Sequence, residues 1–192
     1  MIIIKRRTLT GNWVVYHKSI GATKHLHLNT TDAEDTYQFM FNNTEPTNSL
    51  ITLSDDGEVN KSGSNYVAYV FHSVKGFSKF DKFTGNGSSD GAFLYLGFKP
   101  AFIMIKKSSG TENWSIYDTK RNVNGTTNTL PLNADNADGE SGNTGKNLDI
   151  LSNGVKILTS NGELNASGTT YIFMAFAESP FVTSTGIPTT AK

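Results

Sequence analysis

No cysteine occurs among the 192 residues, so disulfides, thiolate metal sites and cysteine nucleophiles are excluded. No apolar run approaches the ~20 residues that a membrane-spanning helix needs, and no membrane span is expected. Met1-Ile2-Ile3-Ile4 is followed, not preceded, by Lys5-Arg6-Arg7 and is too short for a signal-peptide core. Net charge is missing too: 17 Lys and Arg balance 17 Asp and Glu, which gives no electrostatic case for a nucleic-acid partner. There is no Gly-x-Ser-x-Gly elbow, no phosphate-binding loop and no Cys–His pair. No carboxylate pair stands out by spacing. The chain is therefore expected not to be an enzyme, with no catalytic residues and no cofactor.

Short apolar or alternating runs separated by turn residues are abundant. Met1–Arg6, Trp13–His17, Lys24–Leu28, Tyr66–Phe71, Phe77–Phe83, Ala92–Leu96 and Phe102–Ile105 all have the pattern of strands. Asn29–Thr36 is polar and could carry one helical turn capped by Thr31 or Asp32. Turn signals recur about every 8–12 residues and no long helical periodicity intervenes. The expected fold is all-β, with sandwich-like antiparallel sheets.

Two stretches resemble each other. MIIIKRRTLTGNW opens the chain and FIMIKKSSGTENW begins at Phe102. Leu26-His27-Leu28-Asn29 pairs with Leu130-Pro131-Leu132-Asn133, and Tyr66–Phe71 pairs with Tyr171–Phe176. Asp55-Asp56-Gly57-Glu58 matches Ser160-Asn161-Gly162-Glu163, and both look like tight hairpin turns. The sheets should then be built from two tandem, pseudo-symmetric copies, residues 1–98 and 99–181, with a loosely held tail at 182–192. Tyr66, Ala68, Val70, Tyr171, Phe173 and Ala175 are expected among the most buried positions, because both apolar strands should be central.

Several residues could carry recognition. His25 and His27 share one face of a strand, where they could ligate a metal or simply face solvent; no third ligand has diagnostic spacing, so no metal residue is assigned. Trp13 and Trp114 could stack on sugars, but their strand positions favour core packing. Asp135, Asn136, Asp138 and Glu140 lie in a polar insertion, Ala134–Lys146. Folding alone does not require their charge, and they form the candidate loop for a partner subunit, a cation or a glycan. Calcium is one occupant of that loop. The run misses the EF-hand template, because Ala134 stands where the first Asp belongs.

The ordered segments GNWVVYHKSIGATKHLHLNTT, VNKSGSNYVAYVF, FTGNGSSDGAFLYLGFKPAFIMIKK, LSNGVKI and NASGTTYIFMAFAESPF resemble a repeated domain of tail-fibre and other large virion structural proteins of tailed, often marine, bacteriophages. The likeness runs from Met1 to Phe181. It implies a structural or adhesive virion protein, a tail-fibre or surface-fibre module. Implied partners are other virion proteins, further copies of itself in a homo-oligomer, and a host-surface glycan. A capsid decoration or turret protein and a non-catalytic carbohydrate-binding module are the alternatives.

Overall fold

The computed structural model describes residues 1–121, 130–140 and 145–180. Three antiparallel sheets are stacked. The first contains β1 (Ile2–Arg6), β2 (Trp13–Tyr16), β3 (Lys24–His27), β4 (Asp35–Thr36) and β5 (Tyr66–Val70), in the order β4-β3-β2-β1-β5. The second contains β6 (Ser78–Thr84), β8 (Pro100–Lys107), β9 (Trp114–Asp118), β10 (Leu132–Asn133) and β13 (Thr170–Ala177), in the order β10-β9-β8-β13-β6. A smaller third sheet, β11-β12-β7, is made of β7 (Phe93–Tyr95), β11 (Leu148–Leu151) and β12 (Gly154–Ile157). One helical turn, α1 (Gly162–Asn165), completes the described elements. The expectation of an all-β, antiparallel, sandwich-like fold holds.

The alternation of side chains along a strand explains the stacking. Met1, Ile3, Val15 and Leu26 point from the first sheet onto Met104, Trp114, Ile172 and Met174 of the second, forming the central core. On the opposite face of the first sheet, Ile2, Ile4, Val14 and Tyr16 are covered by Met40, Phe41, Val59 and neighbouring loop residues. Behind the second sheet, Ile103, Ile105, Tyr117, Tyr171 and Phe173 meet Leu94, Leu148, Val155 and Ile157 around the third sheet. Runs such as Ile2-Ile3-Ile4 and Ile103-Met104-Ile105 are apolar on both faces because both faces are covered. Gly154 lets β12 approach β7, since a Cβ there would collide with Leu94 O.

Three expectations fail. β13 lies between β8 and β6 and is central, with Tyr171, Phe173 and Ala175 buried. β5 pairs only with β1 and ends the first sheet; Tyr66 is half-buried, while Ala68 and Val70 are exposed. Similar composition gives opposite burial because β6 adds to β13 and nothing described adds to β5. The Asp-Gly and Asn-Gly sites are not hairpins either. Asp56 Oδ1 accepts from Glu58 N at 2.7 Å and Asn161 Oδ1 from Glu163 N at 2.9 Å, so each side chain caps a helical turn. The helical turn expected near Thr31 and Asp32 is absent; β4 forms just after it.

His17 ties the sheets together. It is fully buried, its Nδ1 accepts from Ser19 N at 3.2 Å, and its Nε2 donates to Phe173 O at 3.3 Å. That pattern requires a neutral ring, and burial lowers its pKa to about 4. The unfolded chain, with a histidine near 6.5, then binds more protons than the folded one between these values, so stability falls as pH drops from about 6.5 towards 4. The expected loss is at most about 3 kcal/mol. Urea titrations at pH 7 and pH 4.5 should show it, and His17→Gln should flatten the pH dependence.

Candidate functional site

One end of β1, β2 and β5 borders the central core on the inner face of the first sheet. Register places Val67, Lys5 and Trp13 side by side across the three strands, with Tyr69 one step along. The rings of Trp13 and Tyr69 stack, with centroids 6.5 Å apart and planes 20° apart. Tyr69 is 46% exposed, and Leu9 on the adjoining turn is 62% exposed. Together with Lys5, Arg6, Arg7 and Thr10 they line an open depression of about 600 Å³.

The turn that borders this depression is held rigidly. Lys5 Nζ donates to Gly11 O at 2.6 Å, Trp13 N to Asn29 Oδ1 at 2.7 Å, and Asn29 Nδ2 to Asn12 Oδ1 at 2.9 Å. Arg6 Nη2 reaches Ser64 Oγ at 2.6 Å. Arg7 is exposed and its guanidinium has no ion-pair partner among the described residues. No carboxylate lines the depression. It therefore offers an aromatic surface beside Lys5 and Arg7, the Arg6 guanidinium being turned to Ser64, a combination suited to a ring with an apolar face and an anionic substituent.

Trp114 has a different fate. It is 1% exposed, and its Nε1 donates to His27 O at 2.9 Å. A strap made of residues 31–34 closes that end: Glu34 N donates to Ser108 O at 2.7 Å, Glu112 N to Thr31 O at 2.9 Å, and Lys106 Nζ to Thr31 O at 3.0 Å. No such strap crosses Trp13 among the described residues. The expectation of core packing therefore fits Trp114 better than Trp13. A local signal existed in the sequence: residues 1–31 hold five Lys and Arg and no Asp or Glu, an asymmetry hidden by the zero total.

The predicted acidic loop is not gathered into one site. Asp135 Oδ1 accepts from Trp114 N at 2.7 Å and thereby fixes a strand end. Asn136 Oδ1 accepts from Asp138 N at 3.0 Å, and Glu140 lies 3.4 Å from Arg121 Nη1. Residues 141–144 of the insertion lie outside the described residues. His25 and His27 do share a face, with ring centroids 4.9 Å apart, and burial lowers the pKa of His25. His27 Nε2 is 3.2 Å from Glu58 Oε2, without the direction of a hydrogen bond. No group of three or more His, Asp or Glu is placed to hold a metal ion among the described residues. No described helix is long and apolar enough to cross a membrane.

Fold and depression together define a protein of stacked antiparallel sheets with one open aromatic and cationic surface. The chain belongs to the family described as Domain of unknown function (DUF7483), whose model matches residues 1–180. No curated protein and no solved structure matches it.

Proposed function

We propose that this chain is a structural and adhesive module of a bacteriophage virion, of tail-fibre or surface-fibre type, and that the Trp13–Tyr69 depression contacts an acidic saccharide on the host surface. The observation that carries the adhesive part is the ring stack of half-buried Trp13 and exposed Tyr69 beside Lys5 and Arg7, with no carboxylate in the lining. A pyranose would lay its C–H face on the rings, and its carboxylate or sulfate would meet the guanidinium of Arg7. The covered sheet faces suit a rigid display scaffold, and the virion setting rests on the sequence resemblance. A glycan array with matched acidic and neutral sugars tests the reading. Binding confined to acidic members is expected, and Tyr69→Ala, which removes the exposed ring of the stack, should weaken it at least tenfold, or about 1.4 kcal/mol, with little change in melting temperature. Binding unaffected by Tyr69→Ala would place recognition elsewhere.

The same proposal includes two tandem, pseudo-symmetric copies. Its support is the strand order, β3-β2-β1-β5 in one sheet and β10-β9-β8-β13 in the other, each with the same sequence of connections. Tyr66 Oη donates to Gly57 O at 2.8 Å and accepts from Lys61 N at 2.9 Å; Tyr171 Oη does the same with Gly162 O at 2.6 Å and Ala166 N at 2.7 Å. Lys5 Nζ donates to Gly11 O and Lys106 Nζ to Glu112 O. The registers favour His27 with Asn133 and Leu26 with Leu132, two positions from the alignment by sequence. Because β6 and β7 hydrogen-bond to β13 and β12, the second copy would begin near residue 74, ahead of the expected boundary at 98.

A further inference from the structure

β5 leaves one long edge of the first sheet unpaired. Met1 and Phe71 exchange hydrogen bonds, 3.0 Å from Met1 N to Phe71 O and 2.9 Å in return, and Arg7 N donates to Asn65 O at 2.8 Å. Odd-numbered residues of β5 therefore turn their backbone groups to β1. Tyr66, Ala68 and Val70 turn theirs outward, and none has a backbone partner there among the described residues. Every other described edge is protected by one of the usual devices. β4 and β10 are two residues long; β6 carries Lys79, Asp81 and Lys82; β11 carries Asp149. β7 is short, and Lys79 Nζ caps its Tyr95 O at 2.7 Å. β5 reads Tyr-Val-Ala-Tyr-Val, with no charge, proline or glycine, and Val70 is 60% exposed.

We infer that β5 pairs antiparallel with β5 of a second copy of this chain, about a two-fold axis through Ala68. The strand is its own complement in that arrangement. Ala68 faces Ala68 of the other copy, Tyr66 faces Val70, and the three outward-turned residues form about six hydrogen bonds. The charges are compatible with it: Arg6 and Arg7, at the Tyr66 end, meet not each other but the Val70–Phe71 end, where the Met1 amino group is held near neutral by burial, its pKa lowered to about 6. Pairing joins the two five-stranded sheets into one continuous sheet and leaves the Trp13 depression on its face, so it stands whether or not that depression binds a saccharide.

Analytical ultracentrifugation of the full chain tests it. A dimer is expected at about 100 μM, well above the micromolar affinity that a small interface provides. Ala68→Pro removes an N–H that serves no bond inside the chain, and it should give a monomer with unchanged circular dichroism and melting temperature. Ala68→Lys and Ala68→Glu should each be monomeric, because like charges would then face each other, and mixing the two should restore the dimer. A wild-type monomer at 100 μM, or a dimer that Ala68→Lys and Ala68→Pro leave intact, overturns the inference.

Discussion

Phe173→Ala is expected to cost about 3–5 kcal/mol, and Val70→Ala less than about 1 kcal/mol, in urea titrations followed by circular dichroism. Phe173 sits mid-strand in β13, 4% exposed, facing Ile105 on one neighbour and Asp81 on the other. Its side chain enters the core between the second and third sheets, close to the ring of Phe83. Truncation there leaves a cavity that two hydrogen-bonded neighbours cannot easily close. Val70 loses only partial contact with water-exposed surroundings. Equal costs for the two substitutions would mean that β5 is covered in solution by something that removes Val70 from water.

Glu163→Ala is the second large effect, also about 3–5 kcal/mol. Glu163 is buried and pairs with Lys146 at 2.6 Å, while the Ser115 hydroxyl and Asn113 Nδ2, the latter at 3.2 Å, donate to it. Removing the carboxylate strands a largely buried ammonium and leaves the fully buried Ser115 without its acceptor. It also takes an acidic residue from the first turn of α1. Asp90 is the control. It is paired with Lys156 at 2.6 Å but exposed, and its replacement by alanine should leave the denaturation midpoint unchanged.

Tyr66–Phe71 and Tyr171–Phe176 show how far the sequence could be followed. Both were legible as strands from composition, and both are strands. Which of them would be central depended on Ser78–Thr84, a segment far from either in pattern, choosing β13 as its neighbour. Edge and centre are decided by non-local pairing, and local apolarity does not encode it. Asp56 and Asn161 misled for another reason: the same side chain that favours a tight turn also accepts from the N–H two residues on and starts a helical turn. Asp135 looked free because charge in a polar insertion usually is. Its use by Trp114 N requires knowing that β9 and β10 are paired. The depression is not legible in the sequence because Trp13 and Trp114 have equivalent neighbours there, while among the described residues the 31–34 strap closes the end where Trp114 lies and has no counterpart over Trp13.

The place of β13 has a consequence for how the protein is made. β13, held between β8 and β6 inside the second sheet, is the last of the described strands, ending at Ala177. During synthesis, β1, β2, β3 and β5 leave the ribosome together and can close the first sheet by Phe71. β6 then emerges with no partner and must wait for nearly a hundred further residues before Thr170–Ala177 arrives to receive it. Until then β6 and, once made, β8 each present an open edge, and the apolar inner face of the first sheet lacks Ile172 and Met174. A nascent chain of this design is most vulnerable to misassociation just before β13 is made, and its yield should depend on how quickly that strand is delivered.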